Sequence, residues 1–176
     1  MIDRVTRDAG LVVRAQLGDR HALAELVGHW HEPLWRYVRR MTPDADDVTQ
    51  QVWAAALRSL PRLRDPERFA PWLFTIARRA MTDQLRQVYG YPAPLESDLP
   101  DGRDPLAGVL DRAQIAEGLD GLAPLDREVI ELFHLQDLTL QECSQILAVP
   151  VGTVKSRLHR ARRLLREHLV AKGYSS

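Results

Sequence analysis

The sequence predicts an all-α protein made of two small helical domains joined by a flexible linker. Apolar residues recur at the three- to four-residue spacing of helices, and no useful length alternates with the two-residue period of a strand. Residues 90–105 break this pattern with four prolines, two glycines and an excess of acid, a composition that buries too little apolar surface to fold. Near the end, two short helical patterns meet at a tight turn. We therefore place domains at residues 1–90 and 110–176, with an acidic linker at 91–109.

The N-terminal domain is predicted to contain four helices with recognisable start or stop signals. The first two are expected at Val5–Leu17, stopped by Gly18, and from Asp19 as a cap to Val38, bent at Pro33. The third is expected at Ala45–Leu60, opened by Thr42 and capped by Asp44. After a loop at 61–65, the segment Asp65-Pro-Glu67 supplies a cap followed by proline for a fourth helix that carries Phe69 to Leu85.

The C-terminal domain is predicted to contain four more helices, at about Leu110–Leu122, after Pro124, and in a closing pair. In the first helix of the pair, Thr139 followed by Glu142 forms a capping box, a local start signal. Pro150 suits the first turn of the second helix, where its missing N–H costs nothing. Two short helices joined in this way are typical of a helix-turn-helix, whose second helix enters the major groove of DNA.

The second helix of the pair has an apolar stripe and a basic face on a helical wheel. The stripe comprises Val151, Val154, Leu158, Ala161, Leu165 and Leu169. The opposite face carries Ser156, His159, Arg160 and Arg163, flanked by Lys155 and Arg166. Short polar and cationic side chains can reach base edges, while arginines further along the helix suit phosphates. A basic stripe alone is more often a solvated surface, but the capped partner helix and the tight turn favour duplex DNA as the partner.

Charge is distributed unevenly along a chain whose formal net charge is zero. Residues 151–176 carry seven cations and one acid, a net charge of +6, whereas residues 95–137 carry a net charge of −8. Residues 1–94 are mildly basic at +3. A basic end of this kind indicates a polyanionic partner, and affinity for DNA should then fall steeply with salt.

Composition excludes several other classes of protein. The single cysteine, Cys143, cannot form an internal disulfide and fits a reducing compartment, so we interpret it as a packing residue. No apolar run approaches the length of a membrane span and no signal peptide is recognisable, which predicts a cytoplasmic protein without membrane insertion. His29 and His31 point to different helix faces, and no metal motif or glycine-rich phosphate loop is present. We expect no enzymatic activity, no metal and no cofactor.

Six segments together point to a known family. They are GDRHA at 18–22, DADDVTQQVW at 44–53, WLFTIAR at 72–78, DQLR at 83–86, LAPLDREV at 122–129 and PVGTVKSRLHRAR at 150–162. In this order, and with this linker, the chain resembles the extracytoplasmic-function (ECF) sigma factors of bacterial RNA polymerase, which belong to the sigma-70 family. The resemblance covers nearly the whole chain and implies a transcription initiation factor that binds core polymerase and a two-part promoter.

The resemblance implies a division of labour between the domains. The acidic third helix would dock on the β′ clamp helices of polymerase through Asp46, Asp47, Gln50 and Gln51, with Trp53 in the core. The fourth helix and its preceding loop would recognise and melt the −10 element. The residues implied there are Arg64, Asp65, Arg68, Arg78, Arg79, Gln84 and Arg86, whereas Phe69 and Trp72 are expected in the core. Many members carry asparagine at the position of Arg79, so an unusual −10 preference or a backbone contact is expected there.

The C-terminal domain would read the −35 element and rest on the β flap of polymerase. The residues implied for the −35 contact are Thr153, Lys155, Ser156, Arg157, His159, Arg160 and Arg163. The family also implies an inhibitory anti-sigma factor as a further partner, whose binding face no motif marks. The alternative is a helix-turn-helix regulator that does not join polymerase, against which the acidic helix and the long tether argue.

Overall fold

A computed structural model of the chain describes residues 2–89, 115, 116, 118–171 and 173. The predicted linker at 91–109 lies outside these residues, as do residues 110–114 and 117 of the helix predicted at 110–122. The chain divides into two compact units, Met1–Pro92 and Ala93–Ser176, in agreement with the predicted two-part organisation. All regular structure within the described residues is helical, as predicted, and none of the described helices is both long and apolar enough to cross a membrane.

The N-terminal unit contains four α-helices: α1 (Ile2–Gln16), α2 (Arg20–Met41), α3 (Ala45–Ser59) and α4 (Phe69–Tyr89). Gly18 ends α1 with a φ of +93°, and the side chain of Asp19 accepts hydrogen bonds from His21 N and Ala22 N at the start of α2. The predicted stop and cap between these helices are confirmed. Short 3₁₀ turns at Leu60–Arg62 and Pro66–Arg68 flank the loop before α4.

Two of the predicted helix starts need correction. The side chain of Asp65 makes no capping hydrogen bond, and Pro66–Arg68 is a 3₁₀ turn, so α4 begins at Phe69. Asp44 precedes α3 but its carboxylate caps no amide; the Thr42 hydroxyl instead accepts a hydrogen bond from Asp44 N at 3.3 Å. The Asp44 side chain has a tertiary partner on α4, which local pattern cannot reveal.

Aromatic rings from α2 and α4 form the centre of the N-terminal unit. Phe74 is fully buried and packs edge-to-face against Tyr37 and Trp30, with ring centroids 5.1 and 6.0 Å apart. Phe69, predicted as core, also packs against Trp30. The buried carboxylate of Asp8 on α1 accepts a hydrogen bond from Trp30 Nε1 at 3.1 Å, which satisfies the polar atom of this ring. These contacts hold α1, α2 and α4 together.

The C-terminal unit is built around α5 (Pro124–Ile130), α6 (Leu140–Leu147) and α7 (Val151–Ala171). A single π-helical turn at Glu131–Leu135 follows α5. The capping box is present: Thr139 Oγ1 accepts from Glu142 N, and the Glu142 carboxylate accepts from Thr139 N at 2.7 Å. Ala148 ends α6 in the left-handed conformation, with a φ of +55°. The predicted helix-turn-helix is therefore confirmed in its starts, its turn and its order.

The apolar stripe of α7 forms the centre of this unit, as the helical wheel predicts. Val154, Leu158, Ala161, Leu165 and Leu169 are buried, and Val151 is half-buried at the start of the helix. Cys143 on α6 is fully buried, and this burial raises the pKa of its thiol to about 12. A thiol with this pKa is almost entirely protonated at neutral pH, which agrees with a packing role.

Replacing Gly118 by alanine is expected to destabilise the C-terminal unit by about 1–3 kcal/mol. An added Cβ would overlap Leu165 Cδ1 and lie 3.2 Å from Leu169 Cδ2, so these two buried leucine side chains would have to move from their packed positions. The measurement is denaturant-dependent labelling of Cys143, which is accessible only when this unit opens.

Gly152→Ala is the matched control, because no atom lies within 4 Å of its added Cβ. It should leave the labelling midpoint unchanged or slightly raised. Equal midpoints for the two variants would contradict the packing described for Gly118.

Candidate nucleic-acid interface

The acidic face of α3 projects from the N-terminal unit. Asp46, Asp47, Gln50 and Gln51 are all exposed, whereas Val48, Val52 and Ala56 face the core. Asp46 accepts a hydrogen bond from Trp35 Nε1 at 2.7 Å, so its carboxylate is held at the surface by a ring of α2. Trp53 is buried, as predicted. The structure therefore places all four predicted polymerase contacts on one continuous, solvent-facing strip.

The start of α3 is tied to the far end of α4 through Gln84. Gln84 Nε2 donates to Asp44 Oδ2 at 2.8 Å, and its Oε1 lies 3.4 Å from the Thr42 hydroxyl. Gln84 is predicted from the sequence to contact the −10 element. In the structure, both ends of its amide have partners within the unit. The hydrogen bonds join the helix that carries the acidic face to the helix that carries the −10 candidates.

The loop before α4 exposes three of the predicted −10 residues: Arg64, Asp65 and Arg68. Gln16 on α1 holds the backbone of this loop: its side-chain amide donates to the carbonyl oxygens of Leu60 and Leu63, each at 2.9 Å. The carbonyl oxygen of Leu60 also accepts a hydrogen bond from Leu63 N within the 3₁₀ turn, at 3.0 Å, so the backbone of this loop is held at both of its ends. Sequence reasoning missed Gln16 because its partners lie more than forty residues away.

The remaining −10 candidates lie along α4. Arg79 is exposed, Arg78 is half-buried, and the side chain of Arg86 falls outside the described residues. Trp72, expected in the core, is half-buried and packs against Phe69 with ring centroids 5.6 Å apart. An open groove of about 650 Å³ between α3 and α4 is lined by both small apolar and polar side chains. Its lining residues are Gln51, Ala54, Ala55, Arg58, Ile76, Arg79, Ala80, Asp83 and Gln84.

On α7, five of the seven predicted −35 side chains reach the surface to some extent. Lys155 and Arg163 are exposed, while Ser156, His159 and Arg160 are half-buried. The Ser156 hydroxyl donates to Thr153 O at 3.0 Å, which leaves its lone pairs to accept a hydrogen bond. Arg163 pairs with Glu167 at 3.1 Å, an exposed ion pair that DNA phosphates can replace at little cost.

Thr153 and Arg157, also predicted to contact the −35 element, are buried in the structure. They keep only 7% and 6% of their surface exposed, because they lie toward the apolar side of α7. Their DNA contact stays a prediction, with little surface to support it. Arg162 is also buried. Its guanidinium donates to His134 Nε2 at 2.9 Å and lies over the ring of Phe133.

Arg160 pairs with a residue that the sequence analysis did not single out. Its Nε and Nη2 donate to Asp126 Oδ1 at 2.9 and 2.6 Å. Asp126 lies in the first turn of α5, where a carboxylate is favoured by the helix dipole. Within the described residues, no group of histidine, cysteine and acidic side chains is arranged to hold a metal ion.

Two families match the chain in separate segments. Residues 26–89 match the family described as Sigma-70 region 2, and residues 112–165 match the family described as Sigma-70, region 4. The first segment contains the acidic face of α3 and the −10 candidates on α4. The second contains the helix-turn-helix.

Curated relatives and a solved structure extend the similarity over most of the chain. The ECF RNA polymerase sigma factor SigM of Mycobacterium tuberculosis is 33% identical over 162 residues, covering 90% of this chain and 82% of the relative. The ECF RNA polymerase sigma factor SigC of the same species is 29% identical and covers 88% and 87%. The solved structure of CnrH in complex with the cytosolic domain of CnrY is 30% identical, with a TM-score of 0.65, and covers 94% of this chain and 98% of that chain.

Proposed function

Because this chain belongs to the ECF sigma factors of the sigma-70 family, we propose that it binds core RNA polymerase and directs promoter-specific transcription initiation. It is not an enzyme, since polymerase performs the chemistry. The observation that carries the proposal is the presence of both sigma regions, in order, in two separate compact units. We place the protein in the cytoplasm because that is where its proposed partner, the bacterial polymerase, transcribes DNA.

The N-terminal unit, assigned to residues 1–90, binds core polymerase through the acidic face of α3. Asp46, Asp47, Gln50 and Gln51 are exposed together, which supports this assignment. Carboxylates and amides on one helical face can pair with arginines of a partner in bidentate geometry. The opposite charge of a basic partner surface would also steer the encounter. The proposed site is the clamp-helix region of β′.

The same unit reads and opens the −10 element with the loop before α4 and with α4 itself. Strand separation exposes phosphates and bases, which need cations and stacking surfaces. Arg64, Arg68 and Arg79 are exposed cations in this part of the unit, and the half-buried ring of Trp72 adds a partly accessible aromatic surface. Gln84 uses one of its two amide N–H groups to hold Asp44, so the second can donate to DNA while the bond to Asp44 persists.

The C-terminal unit, assigned to residues 110–176, reads the −35 element with the front of α7. Lys155, Ser156, His159 and Arg160 combine a hydroxyl, an imidazole and two cations at the surface of one helix. His159 Nδ1 is buried, and no hydrogen-bond partner for it is found within the described part of the chain. Nε2 is therefore the ring nitrogen available to DNA. Contacts with the β flap of polymerase complete the proposed role of this unit.

A third partner, an anti-sigma factor, is also proposed. The structure of CnrH, which resembles this chain over most of both lengths, contains the cytosolic domain of CnrY. By analogy, we expect a protein partner that binds this chain when the chain is not bound to polymerase. Such a partner would regulate how much of the chain can start transcription.

The test is transcription in vitro with purified sigma-free core polymerase on a library of random promoter fragments. The wild-type chain should produce RNA with selected start sites, and core polymerase alone should not. Ser156→Ala combined with Arg160→Ala should abolish promoter-specific RNA while co-purification with β′ persists, because the changes lie in the C-terminal unit.

Two outcomes would contradict the proposal. If the wild-type chain does not co-purify with core polymerase but binds duplex DNA, it is a helix-turn-helix regulator. If the double variant loses polymerase binding together with promoter selection, the division of labour between the units is wrong.

A further inference from the structure

The ion pair between Arg160 and Asp126 is unequal in its exposure. The Asp126 side chain keeps 4% of its surface, whereas the Arg160 side chain keeps 27%. Both donated hydrogen bonds, from Nε and Nη2, end on the same carboxylate oxygen. One edge of the guanidinium is therefore held inside the unit while part of the side chain stays accessible to a partner.

Within the described residues, the hydrogen bonds found for Arg160 use only part of its guanidinium group. A guanidinium has five N–H groups in one rigid plane, and Asp126 uses two of them. Because the group is planar, fixing one edge also fixes the direction of the other three N–H groups. Arg160 lies one helical turn after Ser156 and one turn before Arg163, so the free donors belong to the candidate DNA-contacting surface of α7.

A purely structural role explains the pair less well. Buried ion pairs often contribute little net stability, since apolar side chains of similar size can replace them without loss. An arginine side chain that is mobile in the free protein loses rotamer freedom when it binds a base. A residue that holds the arginine in place before binding reduces this loss. Asp126 is buried and holds a partly exposed arginine, which fits a role in positioning that arginine before DNA binds.

We propose that Asp126 is a positioning residue for DNA reading: it fixes Arg160 so that the free guanidinium donors meet a guanine in the −35 element. Guanine is the expected base because its O6 and N7 acceptors in the major groove match two parallel arginine donors. The proposal rests on the function proposed above and adds a residue of α5, outside the helix-turn-helix, to the determinants of promoter preference.

The experiment uses the full chain bound to core polymerase and selects duplexes from random DNA. Arg160→Ala first identifies the base pair that Arg160 reads, as the position whose preference disappears. Asp126→Leu keeps the packing volume but removes the acceptor, and is expected to reduce the guanine preference at that position about tenfold. Asp126→Asn keeps an oxygen acceptor and should fall between the wild type and Asp126→Leu. In the Arg160→Ala background, Asp126→Leu should cause no further change at that position.

A structural role would give a different result: Asp126→Leu would weaken binding equally at every position and lower the denaturation midpoint of Cys143 labelling. That result, or an unchanged guanine preference, overturns the positioning role while leaving the proposed function intact. If the wild-type complex enriches no sequence at all, the proposed function and the positioning role both fail. The wild-type selection therefore distinguishes the two failures.

Discussion

Asp47→Arg is expected to raise the Kd of the chain for core polymerase by about 30-fold or more. Asp47 is exposed on the acidic face of α3, and reversing its charge would remove an attraction and place two like charges at the interface. Losing one member of a close interfacial charge pair costs roughly 2–5 kcal/mol, and about 1.4 kcal/mol corresponds to a factor of ten. Titration of fluorescently labelled protein with core polymerase measures the effect.

Glu25→Arg provides the matched control, since Glu25 is exposed on α2 and the charge change is identical. This variant should bind core polymerase nearly as well as the wild type. If both variants lose affinity equally, net charge rather than the α3 face governs binding. If Asp47→Arg binds normally, the assigned polymerase contact is wrong.

Phe74→Ala is expected to destabilise the N-terminal unit by about 3–5 kcal/mol, because it removes a fully buried ring from the aromatic cluster. The contacts with Tyr37 and Trp30 would be lost, and with them the packing of α4 on α2. All four tryptophans lie between Trp30 and Trp72, so denaturant unfolding followed by their fluorescence reports on this unit alone. Such a loss approaches the total stability of a small domain.

Phe74→Leu is the milder comparison and should cost clearly less, because it keeps much of the buried volume. Labelling of Cys143 should be the same in both variants, since this thiol lies in the C-terminal unit. A cost below about 1 kcal/mol for Phe74→Ala would contradict the packing described here. Altered Cys143 labelling would contradict the assignment of Phe74 and Cys143 to separate compact units.

Local signals in the sequence predicted the helix-turn-helix well. The Thr139–Glu142 capping box and the periodic stripe of α7 depend on neighbours a few residues apart, so they can be recognised without the fold. The stop at Gly18 and the cap at Asp19 succeeded for the same reason.

Predictions failed or fell short where a side chain finds its partner far along the chain. Asp44 was expected to cap α3, but its carboxylate binds Gln84, forty residues away. The DNA contact of Arg160, which the family resemblance and the helical wheel both imply, stays a prediction, but its pairing with Asp126 across 34 residues could not be anticipated. Thr153 and Arg157 show a further limit: burial at the edge of a helical stripe depends on the neighbouring elements of the fold, which a helical wheel does not include.

The left-handed backbone at Ala148 limits the stability of the C-terminal unit. A residue with a Cβ adopts this conformation at a cost of about 1–2 kcal/mol, and glycine would not bear that cost. The bend between α6 and α7 thus stores conformational energy at the point where the recognition helix is set. Glycine at position 148 would therefore make the C-terminal unit more stable, and this position is not among the proposed base contacts.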